Sequence, residues 1–179
     1  MILNNSDSLS QVNLISPCQP RSITRFTPKL NLGVMASGNG TNFEALVNAT
    51  RNSLLDADIS LLVTNNPLCK AIDKAKCLRI PYIILDHNNF LTREEHETEI
   101  VKSLNKYNIE AVVMAGWMRI VTNYLINSYP NRIINIHPSL LPSFKGANAV
   151  EQALTAGVRI SGCSVHLVES KVDTGPLLI

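Results

Sequence analysis

The chain has 179 residues, enough for one domain that buries about 70% of its unfolded surface without disulfide or metal staples. Hydrophobic residues make up 45% and charged residues 17%; this excludes a disordered or collagen-like chain, and no run approaches the roughly 18 apolar residues of a membrane span. Arg21, Arg25 and Lys29 set against Asp7 account for the whole formal charge of +2, so the remainder is neutral and lacks the basic signature of a nucleic-acid surface.

Residues 1–29 mix Ser, Asn, Pro and Gln without periodicity and are expected to form a flexible leader. They lack the apolar core and small-residue cleavage site of a secretory signal. Being acid-poor, with Ser and Arg present, they weakly resemble an organelle transit peptide; the plainer reading is a tail without chemistry. Cys18, Cys69, Cys77 and Cys163 form no C-x-x-C pair and stand at no zinc-like spacing from a histidine. Free thiols in a reducing compartment follow, and a cytoplasmic location is expected.

From Leu30 onward short apolar runs alternate with longer amphipathic stretches, the pattern of βαβ units. Strands are predicted near 30–36, 58–64, 81–85, 110–115, 131–136 and 160–168. Helices are predicted near 41–52, 67–78, 92–107, 121–128 and 147–156. Asn66 with Pro67 suggests one helix start, and Thr92 with Glu95 has capping-box spacing. Gly157 fits a left-handed stop after the last helix. The expected fold is α/β, a doubly wound and mostly parallel sheet with helices on both faces, over residues 30–179.

Ser37-Gly38-Asn39-Gly40-Thr41-Asn42 follows the first strand and opens the first helix, where backbone N–H groups favour an anion. A dinucleotide fingerprint would place a small residue at Phe43 and an acid where Asn65 and Asn66 stand. The Lys-Ser/Thr ending of a nucleotide triphosphatase loop is also missing. A single phosphate held by Gly40, Thr41 and Asn42 remains, beside the alternative of an ordinary ligand-free turn.

Asn135 and His137 lie two apart at the carboxyl end of a predicted strand, so period-two geometry puts both side chains on one face. Ligands of open α/β sheets sit beyond those strand ends. An amide there can donate to a developing oxyanion, and an imidazole can move protons to and from nitrogens. Asp173, in a turn after the sixth strand, is the carboxylate best placed to favour the charged imidazole. A histidine before a proline also occurs as a satisfied loop residue, so that alternative stands. His87 follows Asp86 in a polar loop, His96 is expected on a solvated helix face among Glu94, Glu95, Glu97 and Glu99, and His166 is expected to play a supporting role.

These residues belong to ordered motifs: Ser37 to Asn42, Ala115-Gly116-Trp117-Met118-Arg119-Ile120, Asn135-Ile136-His137-Pro138-Ser139-Leu140-Leu141-Pro142 and Val172-Asp173-Thr174-Gly175-Pro176. Together they resemble the folate-dependent formyltransferases, over about residues 30–179. The resemblance implies a Rossmann-like fold and formyl transfer from 10-formyltetrahydrofolate, as cosubstrate, to the glycinamide amine of a phosphorylated ribonucleotide in de novo purine biosynthesis. It implies small-molecule substrates, with no metal, nucleic acid or membrane partner. Position by position, it implies that Gly40, Thr41 and Asn42 hold the ribonucleotide at its phosphate end. Arg93, Met118, Arg119, Ile120 and Val121 line the folate site with Asn135 and with Glu169, Ser170, Lys171, Val172 and Asp173. Asn135, His137 and Asp173 form the catalytic trio, and the Leu141-Pro142 bond is cis.

Gly146-Ala147-Asn148 looks more like the related formyltetrahydrofolate deformylases, which pass the formyl group to water. That group carries an N-terminal regulatory domain larger than residues 1–29 can supply, since domains start near 50 residues. Methionyl-tRNA formyltransferases share a Ser-Leu-Leu-Pro signature but need an RNA-binding surface that a neutral body does not advertise. The family usually continues past the position of Ile179 through another strand and a C-terminal helix, so the chain is expected to lack that end. A non-catalytic folate- or phosphate-binding remnant is the rival of a different class; the intact trio argues against it.

Overall fold

The computed structural model describes residues 25–179; residues 1–24, and with them most of the expected leader, lie outside the described residues. Phe26 N donates to the Asp56 carboxylate and Lys29 Nζ lies 3.8 Å from Asp58.

The elements run β1 (Leu30–Met35), α1 (Thr41–Arg51), β2 (Ala57–Thr64), α2 (Ala71–Leu78), β3 (Tyr82–Ile84), α3 (Arg93–Lys106), β4 (Ala111–Met114), α4 (Asn123–Ser128), β5 (Ile133–His137), α5 (Ala149–Thr155) and β6 (Ser164–Leu167). They form a 6-stranded sheet in the order β3-β2-β1-β4-β5-β6. β1 to β5 are parallel, whereas β6 pairs antiparallel with β5. This is the α/β architecture the apolar runs predicted. Among the described residues no helix is long and apolar enough to cross a membrane.

Strand alternation builds the two layers of core. Leu32, Val34 and Leu62 pack with Phe43 and Val47 of α1 and with Ile72 and Ala75 of α2. Met35, Leu61 and Val63 point the other way, onto Ile100 and Leu104 of α3 and Leu125 of α4. Covering both faces is what a parallel sheet requires, and each fully buried large side chain stabilises by about 1.5–3 kcal/mol.

Thr92 accepts from Glu95 N while the Glu95 carboxylate returns to Thr92 N, so α3 starts at the predicted capping box. α2 differs from expectation. The Asn66 side chain accepts from Leu68 N in a local turn, and the helix begins only at Ala71, whose N–H donates to Gly38 O. Asn side chains bond nearby backbone readily, and here that turn displaces the helix start downstream.

The chain runs from β1 outward to β3, then returns to the opposite side of β1 as β4. Such a reversal opens a crevice beyond the carboxyl ends of the strands. The loop Ser37 to Asn42, the segment Gly116 to Thr122 and the end of β5 all leave the sheet at that edge.

Candidate active site

β5 presents Asn135 and His137 on one face, and the antiparallel register sets His166 opposite Asn135 and Ser164 opposite His137. Asn135 Nδ2 lies 3.2 Å from His166 Nε2. Asp173 Oδ2 is 3.3 Å from His137 Nδ1, and its Oδ1 is 3.4 Å from His166 Nε2. Gly146 N donates to Asp173 Oδ2 at 2.8 Å. His137, His166 and Asp173 are all buried. The expected trio is therefore gathered in one place, with Asn135 joined to it through His166. The expected supporting residue is a direct member of the cluster.

The turn that delivers Asp173 has a steric explanation. A Cβ on Gly175 would sit 1.9 Å from Leu167 O, so only glycine lets this turn fold back against β6. Thr174 Oγ1 donates to Lys171 O, and Leu167 N donates to Pro176 O. Asp173 itself is held at φ 52, a left-handed conformation that Asp tolerates better than most residues.

Hydrogen-bond inventory restricts the protons. His137 Nε2 is 2.8 Å from Phe144 O, and its Nδ1 faces the Asp173 carboxylate. Carbonyl and carboxylate only accept, so a doubly protonated ring satisfies both contacts. His166 Nδ1 donates to Leu167 O, and its Nε2 stands between the Asn135 amide nitrogen, which only donates, and Asp173 Oδ1, which only accepts. A neutral ring therefore accepts from Asn135, and a protonated ring donates to Asp173. The loop carrying Phe144 is fastened by Ser139 Oγ donating to Ser143 O and Ser164 Oγ donating to Ser139 O. The Leu141-Pro142 bond within it is cis, as the resemblance implied.

Beyond the carboxyl end of β1, Gly40 precedes α1 at φ 66 with no side-chain cap on the first turn. A Cβ there would meet Ala71 Cα at 2.8 Å, so glycine is needed for both conformation and space. The N–H groups of Thr41 and Asn42 belong to the first turn, where no intrahelical acceptor exists and the helix dipole favours an anion. Phe43 is fully buried in the α1 core, filling the place a dinucleotide fold keeps small. Ser37 Oγ donates to Asn65 Oδ1 at 2.6 Å and accepts from Met118 N at 2.9 Å, tying this loop to the next.

Arg93, Ile120, Val121 and Ser170, all expected folate residues, line one cleft of about 530 Å³ together with Glu94, Thr122, Asn123 and Tyr124. The Met118 side chain is exposed just before this wall, and Arg119 follows it. Glu169, Lys171 and Val172 lie in the turn between β6 and Asp173, flanking Ser170. A second cleft of about 560 Å³ is bordered by Phe144, Ala147, Asn148, Glu151 and Gln152.

His96 departs from its expected solvated position. It is buried, its Nε2 meets Leu85 O at 2.8 Å, and its ring stacks on Trp117 with centroids 6.1 Å apart. Burial pushes its pKa down, reinforced by Arg119 and His87 and opposed by the Leu85 carbonyl and Glu97. The flanking glutamates hid the relevant signal: His96 and Glu97 precede Ile100, Val101 and Leu104 at helical spacing, on the face that enters the core.

Residues 30–179 match the family model described as Formyl transferase. The chain belongs to the formyl transferase family. It is 41% identical over 145 residues to the phosphoribosylglycinamide formyltransferase of Bacillus subtilis (strain 168), covering 81% of this chain and 74% of that one. It is also 41% identical over 152 residues to the trifunctional purine biosynthetic protein adenosine-3 of Gallus gallus, where the match covers 85% of this chain but 15% of the relative's length. The crystal structure of phosphoribosylglycinamide formyltransferase from Bacillus halodurans superposes with a TM-score of 0.81 at 40% identity, covering 83% of this chain and 77% of that one. The family and fold expected from the motifs are thus those found.

Proposed function

We propose that the chain transfers the formyl group of 10-formyltetrahydrofolate to the glycinamide amine of phosphoribosylglycinamide. The observation that carries this reading is the buried pair of His137 and Asp173, set beside Asn135 at the carboxyl end of β5, in a family member 41% identical to an enzyme of that name. Transfer to water, which Gly146-Ala147-Asn148 suggested, is the weaker reading because the named relatives act in purine biosynthesis or carry the amine-transfer name.

In this reading the first-turn N–H groups of Thr41 and Asn42, with Gly40, receive the ribonucleotide phosphate. The cleft of Arg93, Ile120, Val121 and Ser170 receives the folate, with Met118, Arg119, Glu169, Lys171 and Val172 around it. 10-Formyltetrahydrofolate supplies the activated formyl carbon. Asn135 has a second amide N–H beyond the one facing His166, and it donates to the formyl oxygen as negative charge develops there. A donor so placed contributes about 10²–10³ in rate.

The glycinamide amine attacks the formyl carbon. As the new C–N bond forms and the bond to the folate nitrogen breaks, His137 gives a proton to that leaving nitrogen, directly or through a water, and is reprotonated by the one the amine loses. To do so its Nε2 exchanges Phe144 O for the substrate or that water. Asp173 balances the imidazolium charge and, held by Gly146 N, fixes the ring orientation. Positioned proton transfer of this kind contributes about 10²–10⁴. The exposed thiols of Cys77 and Cys163 suit a reducing cytoplasm.

The test is an assay with 10-formyltetrahydrofolate, with and without phosphoribosylglycinamide. Formyl transfer that requires the ribonucleotide supports the reading. Tetrahydrofolate release without it supports hydrolysis, and neither in a folded sample supports a non-catalytic remnant.

A further inference from the structure

We propose that Glu97 of α3 is a positioning residue for the folate cleft, acting by fixing the backbone at the start of α4. The inference rests on the reading of that cleft as the folate site and adds a residue outside the motifs that suggested it. Glu97 is 3% exposed. Its Oε1 accepts from Thr122 N at 2.7 Å, and its Oε2 accepts from Thr122 Oγ1 and from Leu125 N at 3.3 Å.

Thr122 is the N-cap of α4 and accepts from Tyr124 N. In an ordinary capping box a glutamate at the third helical position returns to the N-cap amide. In α4 that position is Leu125, which cannot accept, and Glu97 supplies the missing carboxylate from another helix. Taking a carboxylate out of water is costly unless its oxygens are well bonded, and the bonds it makes here all go to the start of α4.

The location gives this brace its consequence. Arg93 and Glu94 form the α3 wall of the cleft, and Ile120 to Tyr124 form the α4 wall. Glu97 lies one turn beyond Arg93 and joins the two walls. The segment between them is clamped at both ends, by Ser37 Oγ on Met118 N and by Glu97 on Thr122 N. Releasing the second clamp shifts Ile120 and Val121, whereas the first-turn loop at Gly40 to Asn42 stays tied through Ser37 and Ala71. The effect should therefore fall on folate rather than on the ribonucleotide.

Steady-state kinetics of Glu97→Gln, with Tm as a control for folding, tests this. The expected result is a rise of about tenfold in KM for 10-formyltetrahydrofolate, the size of losing one hydrogen bond to a charged group. KM for phosphoribosylglycinamide and kcat at saturating folate stay within about twofold. Quenching of Trp117, the single tryptophan, by tetrahydrofolate should weaken in parallel. Should Glu97→Gln fail to fold, Glu97→Asp, which keeps the charge but draws the carboxylate back from Thr122 N and Leu125 N, should raise the folate KM alone. Unchanged folate KM, or equal rises for both substrates, overturns the role of Glu97 while leaving the function intact. A folded wild type with no formyl transfer instead overturns the functional reading and this inference with it.

Discussion

Asp173 Oδ2 lies 3.3 Å from His137 Nδ1, with both side chains buried. Among the described residues the carboxylate is the charge in that cluster able to balance an imidazolium. Asp173→Asn keeps the shape but removes the charge, and its amide would confront the Gly146 N–H. It should lower kcat by about 10²-fold or more, within the range of positioned acid–base catalysis, with KM for phosphoribosylglycinamide changed by only a few-fold. A variant retaining wild-type kcat would remove Asp173 from the mechanism.

His166 meets both Asn135 Nδ2 and Asp173 Oδ1. Its loss as His166→Ala frees the Asn135 amide to rotate and removes one contact from the carboxylate, so kcat should fall about tenfold, less than for His137→Ala. Kinetics of His166→Ala, Asn135→Ala and the His166→Ala/Asn135→Ala double variant check the coupling. Independent, fully additive effects would contradict the pairing.

Much of this was legible from the sequence, for reasons that differ by element. Apolar runs announced every strand because a sheet covered on both faces needs them. Thr92 and Glu95 announced α3 because both halves of a capping box are local in sequence. Asn135 and His137 share a face through simple alternation. Asn66 misled because its side chain made a local turn with Leu68 instead of capping α2. His96 and Glu97 were hidden because surrounding glutamates outweighed the spacing to Ile100 and Leu104. No local rule could show that Glu97 caps a helix 25 positions later, or that β6 turns antiparallel and places His166 against Asn135.

Gly40→Ala should be costly. The new Cβ would meet Ala71 Cα at 2.8 Å and would occupy φ 66, where a side chain is strained by about 1–2 kcal/mol. The urea midpoint should fall, and KM for phosphoribosylglycinamide should rise more than KM for 10-formyltetrahydrofolate, because the loop moves with the strain. An unchanged ribonucleotide KM would detach this loop from phosphate binding.

The lowered pKa of His96 links stability to pH. Burial makes the folded protein resist the proton that the unfolded chain accepts near the ordinary value of about 6.5. The unfolded state therefore binds more protons between the folded and unfolded pKa values, and stability should rise with pH through that window. Full stability is present above the unfolded value and is lost as pH falls through and below it. Urea midpoints between pH 7.5 and 5.5 should drop less for His96→Gln than for wild type. Parallel drops in both would assign the pH dependence elsewhere.

The most direct test of the central claim is single-turnover formyl transfer by the wild type and by His137→Ala, with both substrates saturating. The wild type should form tetrahydrofolate and formylated phosphoribosylglycinamide in equal amounts, only when the ribonucleotide is present. His137→Ala should bind both substrates and transfer about 10²–10⁴ times more slowly. Equal rates in the two proteins, or tetrahydrofolate release that ignores the ribonucleotide, would contradict the account.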